Sequence, residues 1–178
     1  MPPVHWTEGR VHVYTGDGKG KTTAALGLAL RAAGAGLSVY IAQFVKGLPY
    51  SEHATLARLD DCITCAQFGR AGFIHDQPAQ ADIDAARAGL AEVSGILRRG
   101  AHDLVVLDEA SIATHFGLFS AEELWQAVAH RAAGVEVVIT GRAADPLVLE
   151  RADLVTEMRE VRHYYAGEGL EARAGIEM

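Results

Sequence analysis

Two stretches of this chain leave little freedom of fold. Leu37 to Phe44 (LSVYIAQF) and Leu104-Val105-Val106-Leu107 are near-continuously apolar, without the alternation of a strand that has one wet face. Strands buried on both sides need helices above and below them, and the segments between supply these. Arg10 to Thr15 reads as a first strand, followed by a glycine-rich turn and an Ala/Leu-rich helix from about Lys21 to Ala33. Gly34 and Gly36 stop that helix. Glu52 to Leu59 reads as a short helix and Cys62 to Phe68 as a third strand, with a loop over 69–80. Ile83, Ala86, Leu90, Val93 and Leu97 recur at helical spacing. Ser120 and Glu123 form a capping box that opens a helix through Leu124, Trp125 and Val128. Val135 to Thr140 reads as a fifth strand, Asp145-Pro146 as the cap of a short helix, and Asp153 to Met158 as a sixth strand. Repeated β-α units with buried strands predict a three-layer α/β domain with a mostly parallel sheet of about six strands. No linker, repeat or low-complexity stretch interrupts residues 1–178, and 178 residues suit one domain.

Composition narrows the function. Sixteen basic against 23 acidic residues give a net charge of −7, the wrong sign for wrapping nucleic acid non-specifically. No apolar run approaches the ~20 residues of a membrane span, and Met1-Pro2-Pro3-Val4-His5-Trp6 shows no secretory pattern. Together with two cysteines, this leads us to expect a reducing, cytoplasmic setting. Thirteen of the basic residues are Arg and three are Lys; Lys19, Lys21 and Lys46 all lie beside glycine just after a predicted strand. Lysine serves phosphate as a compact point charge.

Thr15-Gly16-Asp17-Gly18-Lys19-Gly20-Lys21-Thr22-Thr23 joins the first strand to the first helix. It satisfies the Gly-Lys-Thr half of the P-loop pattern but carries Thr15 where the first glycine stands. The physics survives: the glycines let backbone N–H groups close around phosphate, and the helix N-terminus adds its dipole. Lys21 is then expected on the outer phosphates and the Thr22 hydroxyl on Mg²⁺. The expected architecture is therefore P-loop NTPase-like. Asp108-Glu109 ends a buried strand at the same crevice, and either carboxylate is a candidate for Mg²⁺. Arg142, after Gly141, is a candidate for a phosphate oxygen or for pairing with Asp145. Lys46 is a further phosphate candidate, and Arg31 on the first helix is grouped with the nucleotide-binding residues. Cys62 and Cys65 have no third Cys to build a zinc site and are expected as small buried apolar residues. His53, His75, His115 and His163 are expected in loops, with no pair at metal-ligand spacing.

A GTPase reads its base with N-K-x-D, and this chain contains no Asn. Thymidine-kinase-like enzymes usually carry a four-cysteine zinc lobe, which two cysteines cannot build. Small ATP-binding domains with other chemistry are left.

The P-loop segment, Gln43-Phe44-Val45-Lys46-Gly47, Leu107-Asp108-Glu109 and Ile139-Thr140-Gly141-Arg142 resemble the ATP:corrinoid adenosyltransferase family. So do Ala152-Asp153-Leu154-Val155-Thr156-Glu157-Met158 and the ending Gly175-Ile176-Glu177. The resemblance covers about residues 9–178, in order and at the right spacing. It implies transfer of the 5′-deoxyadenosyl group of ATP to the Co(I) of a corrinoid, with triphosphate as leaving group. It implies ATP held by Gly16, Asp17, Gly18, Lys19, Gly20, Lys21, Thr22, Thr23, Lys46 and Arg142. Mg²⁺ (or Mn²⁺) would sit on Thr22 and Glu109, with Asp108 beside them. It also implies a homodimer and an electron donor, such as a flavoprotein reductase, that reduces Co(II). The chain resembles a short branch of the family: only about nine residues precede the first strand, so a covering N-terminal helix is expected to be short or absent. Gly72-Phe73-Ile74-His75-Asp76 keeps one aromatic of a Phe/Trp pair. Phe73 is expected as an apolar wedge that keeps the cobalt face dry, and His75 not as a cobalt ligand. A small-molecule phosphotransferase and a non-catalytic ATP- or corrinoid-binding module are the alternatives.

Overall fold

In the computed structural model, which describes residues 6–72, 74 and 77–177, the apolar segments become the centre of one parallel sheet. The strands are β1 (Val11–Thr15), β2 (Val39–Phe44), β3 (Ile63–Phe68), β4 (Leu104–Asp108), β5 (Glu136–Thr140) and β6 (Leu154–Glu157). Their order is β3-β2-β4-β5-β1-β6, and every recorded pairing is parallel. Interleaved are α1 (Lys21–Gly34), α2 (Ser51–Leu56), α3 (Gln80–Arg99), α4 (Ala110–His115), α5 (Ala121–Ala129), α6 (Pro146–Arg151) and α7 (Tyr164–Glu168). The six strands and the helices on both faces match the expected three-layer architecture. Two short helices, α4 and α7, had no signal in the pattern. His115 consequently sits in α4, His163 caps α7, and His53 lies within α2, none of them in a plain loop.

Pleating decides what the strand ends present. Along β4, Val105 and Leu107 join the core that includes α3, α5 and α6 residues, whereas Leu104 and Val106 join the core built on α1. β2 divides likewise, with Tyr40, Ala42 and Phe44 on the first side and Val39 and Ile41 on the second. β5 sends Val138 to the α1 side. Continuing each alternation by one step brings Gln43, Asp108 and Thr140 to the α1 side, at the carboxyl ends of three neighbouring strands. All three are buried. On α1 the buried stripe is Ala25, Ala29 and Ala32, whose small side chains let the helix lie close to the sheet.

The opposite layer packs with comparable tightness. Phe44 meets Phe119 edge-on at 5.3 Å and Phe68 at 5.9 Å. Phe68 also presses on α3 at Gly89, where an added Cβ would stand 2.3 Å from the ring's Cγ. A helix normally prefers Ala to Gly by about 1 kcal/mol. Here the collision reverses that preference, because overpacking costs about 1–3 kcal/mol. We predict that Gly89→Ala lowers the urea midpoint, whereas Gly95→Ala in the same helix raises it. A Cβ at Gly95 meets only the mobile end of Arg99, at 3.1 Å. Equal shifts for the two variants would remove the packing argument.

Candidate active site

The loop between β1 and α1 is shaped by contact with the sheet edge. Gly16 and Gly20 have φ of 92° and 117°, in the left-handed region that favours glycine. A Cβ at Gly16 or Gly18 would stand 2.5 or 2.7 Å from the Met158 carbonyl oxygen. Gly18 N donates to that same oxygen at 2.7 Å, so the end of β6 braces the loop. The Lys21 ammonium folds back into it, donating to the carbonyls of Gly16 and Gly18 at 2.7 Å each. Burial pulls the Lys21 pKa below its ordinary value, with the Arg142 charge adding to the effect.

Asp108 lies under this loop, 1% exposed. Its Oδ1 accepts from the hydroxyls of Thr22 at 2.8 Å and Thr140 at 2.7 Å. Its Oδ2 accepts from Lys46 Nζ at 2.7 Å and Gln43 Nε2 at 3.2 Å. Four donors fill the roughly four lone-pair positions of a carboxylate. Burial opposes the charge on Lys46, but the Asp108 charge and hydrogen bond outweigh it and raise its pKa.

Glu109 differs from its neighbour. It sits at φ 58°, a left-handed conformation unusual for a non-glycine residue, and starts α4. Its N–H donates to the Thr140 hydroxyl at 3.0 Å. Its carboxylate lines the cleft with no recorded hydrogen bond among the described residues. Burial raises its pKa, the Asp108 charge raises it further, and Lys46, Lys21 and Arg142 pull the other way without reversing the shift. Arg142 is exposed and bonds the Asp17 carbonyl through Nε at 3.3 Å and Nη2 at 3.2 Å. Asp145 does not pair with it; its Oδ1 accepts from Leu147 N and caps α6.

These groups open on a cleft of about 700 Å³ whose walls include Lys19, Thr23, Lys46, Glu109, Arg142 and His163. The C-terminal residues Ile176 and Glu177 close one side. The Glu177 carboxylate is held by Arg173 and accepts from the Tyr164 hydroxyl, which lowers its pKa to about 2.

The structure therefore brings Gly16, Gly18, Lys19, Gly20, Lys21, Thr22, Thr23, Lys46, Asp108, Glu109 and Arg142 to one place, and Asp17 enters through its carbonyl. Arg31 is a correction. It sits in the last turn of α1, ten residues past Lys21 and so about 15 Å along the axis. There it lines a separate cavity of about 280 Å³ with Trp6, His12 and Glu136, away from the loop. Phe73 and His75 lie outside the described residues. Cys62 and Cys65 are free, and both are half-buried where full burial was expected. Among the described residues no group of His, Cys, Asp and Glu is clustered for a metal. Sequence reasoning missed Gln43 and Thr140 as site residues and His53 as their neighbour. A polar residue closing an apolar strand was the available signal.

A glycine-rich loop feeding a helix N-terminus, with a lysine in the loop and a carboxylate on the helix's first threonine, defines a P-loop nucleotide-binding α/β protein. Residues 7–178 match the family of ATP:corrinoid adenosyltransferases BtuR/CobO/CobP. The chain is 36% identical to a corrinoid adenosyltransferase of Pseudomonas aeruginosa over 93% of its own length and 81% of that protein's. It is 36% identical to the Escherichia coli K12 corrinoid adenosyltransferase over 95% and 85% of the two chains. A Sinorhizobium corrinoid adenosyltransferase is 29% identical over 96% and 80%. The chain belongs to this family of transferases, which move the adenosyl group of ATP to a corrinoid. No helix among the described residues is long and apolar enough to cross a membrane.

The raised Glu109 pKa gives a signed prediction for stability in the absence of nucleotide and metal. The folded protein holds the Glu109 proton more tightly than the unfolded chain, so its contribution to stability is lost as pH rises through the raised pKa. Glu109→Gln is therefore expected to be more stable than the parent at pH 7.5, with the difference closing toward about pH 4. Each kcal/mol gained should raise Tm by about 2–4 °C at this chain length. A variant less stable than the parent at pH 7.5 would mean that the three cations outweigh burial.

Proposed function

We propose that the cleft holds ATP by its triphosphate while the Co(I) of a corrinoid attacks the ribose 5′-carbon. The cobalt lone pair forms the Co–C bond, cobalt becomes formally Co(III), and the C5′–O pair leaves with triphosphate. The nucleophile carries no proton, so the reaction needs charge stabilisation and no general base. The observation that carries this reading is the division of labour between Asp108 and Glu109. Asp108 spends its oxygens on protein donors and fixes Thr22, while Glu109 keeps its carboxylate free at the cleft.

That donor set fits a hard divalent cation, Mg²⁺ or Mn²⁺. The Thr22 proton points to Asp108, leaving hydroxyl lone pairs for a metal, and Glu109 supplies the anionic oxygen. When bound, the ion would neutralise charge on the triphosphate. Lys21 contributes its ammonium to the same oxygens, exchanging the Gly16 and Gly18 carbonyls for phosphate. Lys46, Lys19 and Arg142 surround the chain of phosphates, and the α1 amides with Gly16, Asp17, Gly18, Gly20 and Thr23 form its cradle. Phe73 is assigned the apolar wedge at the cobalt face. From the family likeness we also take a homodimer, a flavoprotein-type electron donor for Co(II), and a cytoplasmic setting.

Incubation with ATP, Mg²⁺ and chemically reduced cobalamin is expected to yield adenosylcobalamin and triphosphate in equal amounts. ADP in place of triphosphate would assign the site to phosphoryl transfer, and unchanged ligands would assign it to binding alone. Lys21→Ala should lower kcat/KM by about 100-fold or more, the usual cost of one transition-state charge contact. Normal turnover by that variant would remove Lys21 from the phosphate site.

A further inference from the structure

Asp108 is held by four donors, of which Thr22 and Lys46 line the cleft and Thr140 is buried at the end of β5. The fourth, Gln43, has no access to the cleft. It is fully buried, and β2 pairs with β4 so that Gln43 stands directly opposite Asp108. Its Nε2 donates to Asp108 Oδ2 at 3.2 Å. Its Oε1 receives His53 Nε2 at 2.6 Å and Gln67 Nε2 at 3.4 Å. The amide orientation follows from these neighbours: flipped, it would put oxygen against the Asp108 carboxylate and NH₂ against the Gln67 amide.

The His53 tautomer follows in the same way. Tyr50 N–H donates to His53 Nδ1 at 3.0 Å, so Nδ1 is an acceptor and the ring proton sits on Nε2. The Nε2–H then donates to Gln43 Oε1. One imidazole does two separate jobs: Nδ1 fixes the start of α2, and Nε2 fixes the Gln43 amide. Without the second contact, Gln43 keeps only the long Gln67 bond on Oε1 and is free to rotate away from Asp108.

We propose that His53 is a positioning residue of the nucleotide site, acting through Gln43 on the Asp108 carboxylate. By holding Oδ2 in place, the relay sets where Oδ1 presents itself to the Thr22 hydroxyl and where Lys46 stands. His53 touches neither nucleotide nor metal. The inference rests on the reading of Thr22, Asp108 and Glu109 as the metal–phosphate end of the cleft. Partners bonded directly to a metal's ligands, the place Asp108 takes on Thr22, typically alter affinity by about 10–100-fold; His53 is two links further out, through Gln43, so a smaller effect is expected.

The two nitrogens allow the role to be separated from helix capping. The Gln side chain places an NH₂ near the position of Nε2 and can donate to Gln43, but has no acceptor where Nδ1 stands. Asn places its oxygen near Nδ1 and cannot reach Gln43. ATP binding is followed with a fluorescent ATP analogue while Mg²⁺ is titrated, and kcat is measured at saturating ATP and Mg²⁺. His53→Asn and His53→Ala are expected to raise the Mg²⁺ half-saturation about 3–10-fold with kcat changed less than twofold. His53→Gln should stay near the parent. In the metal-free parent protein, long-range proton–nitrogen spectra should find the His53 proton on Nε2. The effect of His53→Ala should vanish in a Gln43→Met background, since the relay is already cut. If that buried substitution unfolds the protein, the Gln/Asn comparison decides alone.

A normal His53→Asn with an impaired His53→Gln would assign His53 to capping α2 and overturn the proposal, as would a flat series. Asp108→Asn separates the two levels of argument. If it impairs Mg²⁺-dependent ATP binding while the His53 series is flat, only the relay is overturned. If it changes nothing, the reading of the cleft falls and the relay falls with it.

Discussion

The Asp108 carboxylate, almost completely removed from water, is the point on which this structure turns. A buried ionised carboxylate is tolerated only when its oxygens are satisfied. The donors come from four separate places: Thr22 on α1, Gln43 on β2, Lys46 in the loop after β2 and Thr140 on β5, while β4 carries the carboxylate itself. Three central strands and the first helix are thus tied at one atom group. The β2–β4 register sets Gln43 against Asp108, and the side-chain alternation of β5 turns Thr140 toward the same face. A shift of one residue in β4 would turn Asp108 into the apolar layer under α3 and α5. The hydrophobic patterning of the strands and the polar chemistry of the site therefore specify the same register.

Much of this was legible in the sequence because each legible feature is local. Strand burial shows in runs such as LVVL, the phosphate loop shows in its glycines, and the capping box at Ser120 forms as its residues indicate, with Ser120 Oγ accepting from Glu123 N. Features that depend on distance in three dimensions were not legible. Arg31 lies on the same helix as Lys21, yet a helix carries its far end away at about 1.5 Å per residue. α4 was hidden because it begins at a left-handed Glu109 with no side-chain cap, so the usual start signal is missing. The Gln43 and His53 connection needed both the strand register and the placement of α2. No spacing rule links residues ten apart across a loop.

Glu109 shows what the site costs in stability. A non-glycine residue in the left-handed region costs about 1–3 kcal/mol. The same residue keeps a carboxylate in a place where burial disfavours its charge. Neither cost serves the fold, since among the described residues the Glu109 side chain makes no hydrogen bond that packing would need. Both costs aim a negative oxygen into a cleft lined by cations. A residue with an ordinary backbone at this position would carry the chain onward from β4 in a different direction and take the carboxylate off the cleft.

The charge pattern of the whole chain supports the same conclusion. A protein with net charge −7 repels an anion such as ATP at long range, so attraction has to be built locally. All three lysines of the chain lie on the cleft, and Arg142 completes the set. Lys21 meanwhile rests on the Gly16 and Gly18 carbonyls, which holds the loop closed around the ammonium. In the proposed function, a triphosphate displacing those carbonyls would meet a cation already desolvated, leaving little reorganisation when charge builds on the leaving oxygen. Arginine in that position would bring a broad planar fork where the loop offers two converging carbonyls. The choice of lysine therefore follows from the size of the cradle, and the cradle in turn from the glycines that let β6 press against it.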